Sequence, residues 1–123
     1  MEINKIKQFL FVPLIFIILM TSCNKDIENV RLEGYVYDIE TKTPLSGITL
    51  KIENAYYEGG DYDSYNHYNS YQIITDEKGY FKVDFKKSAY IQIDVVQDGY
   101  EKFFRAIEVY TNDLKEEIFL EKN

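Results

Sequence analysis

The chain has 123 residues, with one cysteine, one histidine and no tryptophan, and carries 14 basic against 21 acidic side chains for a formal net charge of −7. That length sets one domain, and a composition 46% hydrophobic and 28% charged excludes a wholly disordered chain. The negative balance excludes nucleic acid as the expected partner, because phosphate backbones repel it. A single cysteine excludes an internal disulfide framework and a cysteine zinc cluster, and a single histidine excludes any site built on two imidazoles.

The N-terminal segment, residues 1–22, reads as an address rather than as structure. Met1 to Gln8 is polar and carries Lys5 and Lys7, and Phe9 to Met20 follows without a charge. Twelve helical residues span about 18 Å, short of the roughly 30 Å of a bilayer core. A basic start and a short apolar run describe a secretion signal. It closes on Met20-Thr21-Ser22-Cys23, which resembles a bacterial lipobox, with Met20 where leucine is more usual. Cys23 is therefore the expected lipidation site, with residues 23–29 a lipidated tether and the membrane a partner through that lipid. The acidic residues of Asn24-Lys25-Asp26-Ile27-Glu28 resemble export tags of surface lipoproteins, which implies the outer membrane and its cell-surface face; read as a plain solvated tether, the same residues leave a periplasm-facing lipoprotein as the alternative.

From Val30 onward the apolar residues alternate. Val30, Leu32 and Val36 share one parity, as do Ile48, Leu50 and Ile52, then Phe81, Val83 and Phe85, then Ile91, Ile93 and Val95. Period two with a polar second face marks half-buried antiparallel strands. A short run at Gln72 to Thr75 and two later ones, Lys102 to Tyr110 and Glu116 to Glu121, bring the number to about seven. Thr43-Pro44-Leu45-Ser46-Gly47, Asp76-Glu77-Lys78-Gly79, Asp98-Gly99 and Thr111-Asn112-Asp113 supply the turns between them. Seven short strands over residues 30–123 predict an all-β, two-sheet sandwich.

Four pieces come in order: Gly34-Tyr35-Val36-Tyr37-Asp38, Thr43 to Ile48, Thr75 to Phe81, and Asp98-Gly99-Tyr100. Together they resemble the carboxypeptidase regulatory-like domain over Val30 to about Val109. The resemblance implies a seven-stranded antiparallel Greek-key β-sandwich of the transthyretin (prealbumin) type. It also implies an accessory module without catalytic residues of its own.

Enzymatic readings find little to build on, so no catalysis and no cofactor are expected. A zinc peptidase site needs more imidazole and carboxylate ligands than His67 can provide. Asp63, Ser64 and His67 could compose a triad on paper, but all lie within five residues of one polar segment, a poor way to hold geometry. Gly59-Gly60 is a turn rather than a phosphate loop.

In the family that the chain resembles, the second and third strands are joined by a short link. Here Ala55 to Ser70 is predicted to form a long loop bearing Tyr56, Tyr57, Tyr62, Tyr65 and Tyr68, with Tyr71 opening the next strand. Tyrosine among Ser, Gly and Asn is the composition of binding loops, offering a flat apolar face and a hydroxyl at low entropy cost. Tyr62, Tyr65, Tyr68 and Tyr71 recur every third residue and would form one row in an extended three-fold conformation. Two readings follow: a lipid-anchored binding module contacting glycan or protein through these tyrosines, or a structural part of an envelope assembly in which the loop merely covers one end of the sandwich. Calcium is a further candidate on Glu58, Asp61 and Asp63, although Tyr65 stands where an EF-type loop needs another oxygen.

Overall fold

A computed structural model describes residues 25–59 and 65–123. Cys23 and the run before it, with Asp61, Tyr62, Asp63 and Ser64, lie outside the described residues. The strands are β1 (Ile27–Asp38), β2 (Thr49–Tyr56), β3 (His67–Ile74), β4 (Tyr80–Ser88), β5 (Tyr90–Val95), β6 (Phe103–Glu108) and β7 (Asp113–Leu120). They form a three-stranded sheet, β4-β1-β7, and a four-stranded sheet, β3-β2-β5-β6. No helix occurs among the described residues.

The alternating residues make the core. Val30, Leu32 and Val36 of β1, Phe81 and Phe85 of β4, and Ile118 and Leu120 of β7 belong to one cluster with Leu50 and Ile52 of β2 and Ile91, Ile93 and Val95 of β5. Each fully buried aliphatic chain of this kind stabilises the fold by about 1.5–3 kcal/mol. The fold is thus the all-β sandwich that the alternation predicts.

Three details depart from the sequence reading. First, the sheets are not wholly antiparallel: β1 and β7 run parallel, with Gly34 opposite Glu116 and Val36 opposite Ile118. The chain crosses from β6 in one sheet to β7 in the other, and the Arg31 amide donates to the Asn112 carbonyl at 2.9 Å. That bond sets the start of β7 beside the early part of β1, so the two strands travel the same way. Second, β2 continues to Tyr56 and pairs with β3 from His67 on, Ala55 facing Tyr68, so that only residues 57–66 connect them. Tyr68 and Tyr71 therefore sit in a strand and point to opposite faces, which removes the three-fold row. Third, β1 begins at Ile27 rather than Val30. Ile27 pairs with Ser88 and packs against the core.

Asp38, Thr75, Asp76 and Gly79 gather at the end where β1 finishes. Asp38 Oδ1 accepts from the amides of Glu40 at 2.9 Å and Thr41 at 3.1 Å. The Thr41 amide foremost, with help from Glu40 and Lys122, holds the Asp38 carboxyl below its usual range. The Thr75 hydroxyl donates to the Leu45 carbonyl at 2.7 Å and accepts the Ile48 amide at 2.9 Å. Asp76 Oδ1 accepts from the amides of Lys78 and Tyr80, closing the β3–β4 turn. Gly79 there has φ 75°, and a Cβ would lie 2.8 Å from the Val36 carbonyl. These residues are engaged in the turns of this end of the sandwich.

Candidate functional site

The opposite end is built from the start of β1, the β2–β3 hairpin, the β4–β5 junction and the end of β6. Backbone bonds extend the β2–β5 and β5–β6 pairings there: the Ala89 amide donates to the Ala55 carbonyl at 2.9 Å, and the Val109 amide to the Ala89 carbonyl at 3.0 Å. Glu58 and Gly59 turn the hairpin with φ of 49° and 73°.

The expected binding tyrosines divide into groups. Tyr65 lies between Tyr57 and Tyr90, with ring centroids 4.8 Å and 5.6 Å away. Burial, then hydrogen bonding to Tyr57, pushes the Tyr65 hydroxyl up to about 12. These rings pack on one another. Tyr56 stacks on His67 at 5.1 Å with 15° between the planes. Tyr71 meets Phe85 edge-on at 5.2 Å, its ring leaning on the core from an edge strand. Tyr68 is exposed, and Tyr62 lies outside the described residues.

Tyr56 and Tyr71 line the same cleft, of about 430 Å³, in the seam between β3 and β4. Asn54 and Asn69 line it with them. Asn54 is buried and donates from Nδ2 to the Lys87 carbonyl at 2.8 Å, while its Oδ1 has no protein partner, nor does Ser88 Oγ nearby in the fold. Leaving an enclosed acceptor unmet costs about 1–3 kcal/mol, so a hydroxyl or water that reached it would be held. The charged groups on the rim are Glu58, Asp84, Lys86 and Lys87, two of each sign. Glu58 sits 3.2 Å from His67 Nε2 and 3.8 Å from Lys87 Nζ. Asp84 is 2.9 Å from Arg31 Nε, and that hydrogen bond is the main cause of its lowered pKa. The cleft is therefore lined by two tyrosines and two asparagines, with two charges of each sign.

Calcium finds a different setting at Glu58 from the one the sequence suggested. Its carboxylate already faces a histidine and a lysine, and Asp61 and Asp63 lie outside the described residues. Among the described residues no group of three or more His, Cys, Asp or Glu side chains could hold a metal ion.

A second aromatic cluster went unremarked in the sequence. On the outer face of the β4-β1-β7 sheet, Tyr35 lies 5.4 Å from Tyr80 and 6.1 Å from Tyr37, and Tyr37 lies 5.4 Å from Phe119. The Tyr80 hydroxyl donates to Glu33 at 2.5 Å, and Lys42 sits over the Phe119 ring at 4.7 Å. The signal was available: Tyr35 and Tyr37 occupy the solvent parity of β1.

Fold and site together describe a β-sandwich with an amide-and-tyrosine cleft in the seam between its sheets. No protein-family model matches the chain, and no curated protein matches it. Solved structures do. The 3-chlorocatechol 1,2-dioxygenase from Rhodococcus opacus 1CP superposes with a TM-score of 0.62 at 14% identity, covering 78% of this chain and 61% of the enzyme. The shaft pilin SpaA from Lactobacillus rhamnosus GG gives a TM-score of 0.53 at 17% identity, covering 77% of this chain and 46% of the pilin. The group B streptococcus pilus 2b backbone protein gives 0.58 at 14%, covering 76% and 41%. In each case the chain spans less than two thirds of the other protein. At these identities the shared property is the sandwich itself.

Proposed function

We propose that the chain is a non-catalytic, lipid-anchored module of the cell envelope, carried on the outer membrane through Cys23, that binds an uncharged glycan in the β3–β4 cleft. The observation that carries the reading is the cleft: Tyr56 and Tyr71 line it together with Asn54 and Asn69, and its charged groups cancel. A sugar ring needs that combination, an apolar C–H face to stack and hydroxyls to meet amides. An accessory domain of the carboxypeptidase regulatory-like kind fits the role. Its landmark residues, Asp38, Thr75 and Gly79, are engaged in turns, which leaves function to the other end. Occurrence of the same sandwich in pilins and in an enzyme is compatible with an accessory part and does not select its ligand.

The second reading, a structural part of an envelope assembly, is favoured by the mutual packing of Tyr57, Tyr65 and Tyr90. The two readings separate on a glycan array probed with the wild-type protein and with Tyr56→Ser. The binding reading expects retention on neutral glycans that Tyr56→Ser abolishes while melting stays within a few degrees. Absence of retention by the wild type, or equal retention by both proteins, contradicts it.

A further inference from the structure

The chain enters the sandwich through Asp26, whose carboxylate grips the binding hairpin with both oxygens. Oδ1 accepts the Tyr57 amide at 2.8 Å, and Oδ2 accepts the Glu58 amide at 2.7 Å. Hydrogen bonds to an ionised carboxylate are about twice as strong as neutral ones, and two in parallel fix direction as well as distance. Without this clasp the chain could pivot at Ile27, where β1 begins.

Cys23 lies three residues before Asp26. Three residues at full extension cover at most about 11 Å. An acyl anchor on Cys23 therefore holds Asp26, and the hairpin it grips, within that distance of the membrane surface. The far end of the sandwich is beyond such reach, because an eight-residue strand is about 26 Å long. Apart from Tyr56 of the cleft, Tyr57, Tyr65, Tyr68, Tyr90 and Tyr110 all sit at the tethered end, five of the chain's twelve tyrosines. Tyr68 and Tyr110 are 64% and 80% exposed. Tyrosine is a residue of membrane–water interfaces, since its ring enters the headgroup layer while its hydroxyl remains wet.

Resting on the lipid anchoring proposed above, we infer that the tyrosine-bearing end docks on the interfacial layer of the membrane, held in that orientation by the Asp26 clasp. The partner of this surface is the lipid headgroup region. The cleft lies in the seam between β3 and β4, with Glu58 on its lining next to the clasp.

The chain has no tryptophan, so one introduced indole reports alone. Acylated full-length protein is placed in phosphatidylcholine vesicles carrying a headgroup nitroxide, with Tyr110→Trp or, at the far end, Val96→Trp. Both replaced residues are exposed, Val96 by 71%. Circular dichroism checks that each variant keeps the fold. Quenching of Tyr110→Trp is expected to exceed that of Val96→Trp at least threefold, and the contrast to fall below twofold once Asp26→Ala is added. Equal or reversed quenching overturns the orientation, and a contrast that survives Asp26→Ala overturns the clasp. The mass of the N-terminal peptide is read on the same sample. A missing acyl group overturns the lipid anchor and this inference with it, whereas acyl mass with equal quenching overturns the orientation alone.

Discussion

Replacing Gly34 by alanine tests the joint between β1 and β7. A Cβ at Gly34 would run into the Glu116 carbonyl oxygen across the parallel pair, and would lie 2.9 Å from the Glu116 carbonyl carbon and 3.0 Å from Phe81 Cζ. Two of these obstacles are backbone, so the methyl finds no room by a side-chain rotation, and the strands must part. Overpacking a tight site costs about 1–3 kcal/mol, and weakening the ladder bonds beside it adds about 1 kcal/mol. The smaller unfolded-state entropy of alanine returns about 0.5–1 kcal/mol. The net is about 1–3.5 kcal/mol, or roughly 4–28 °C in melting temperature for a domain near 100 residues. Gly47→Ala is the control. Gly47 has φ 73° with nothing within 4 Å of a built Cβ, so it incurs only the left-handed backbone penalty of about 1–2 kcal/mol. Urea unfolding followed by far-ultraviolet circular dichroism measures both variants. Should Gly34→Ala prove no more costly than Gly47→Ala, β1 and β7 do not approach as described.

Phe81→Ala removes a ring that is 2% exposed and should cost about 3–5 kcal/mol by the same assay; an unchanged stability would refute its place in the core. Tyr65 makes an alkaline prediction. Its hydroxyl is raised to about 12 from the ordinary 10, so its contribution is intact below pH 10 and lost as pH climbs from 10 to 12. Absorbance at the phenolate band should show one tyrosine titrating late in the folded protein, and Tyr65→Phe should remove that late step. Cys23→Ala should release the protein from membranes and abolish cleavage at the lipobox; membrane retention of the variant would contradict the anchor.

The alternation that exposes β1, β2, β4 and β5 in the sequence works because each has one face in the core, as Leu50 and Ile52 or Ile91 and Ile93 show. β3 was legible only in its second half. His67 to Ser70 is exposed throughout, and this edge segment is held by backbone pairing with β2 rather than by burial. The parallel β1–β7 pair leaves no trace in periodicity, since side-chain parity is the same in either direction. The tyrosine concentration near Tyr56 was visible as composition. Its division into packed rings and cleft-lining rings was not, because the deciding neighbours come from elsewhere: Tyr90 from β5, Phe85 and Lys87 from β4. Asp26 was hidden for the opposite reason. A polar residue in an expected tether carries no signal until the hairpin amides are brought to it.

Localisation of a glycan on the protein tests the binding account most directly. Two-dimensional ¹H–¹⁵N spectra are recorded while a neutral oligosaccharide retained on the array is titrated in. The account predicts shifts concentrated at the backbone amides of Tyr56, Asn69 and Tyr71 and at the side-chain amides of Asn54 and Asn69, with Gly79 and Gly99 at the far end unmoved. Shifts centred on the far end or on the outer Tyr35–Tyr80 face, or no shift with any neutral glycan, would contradict it.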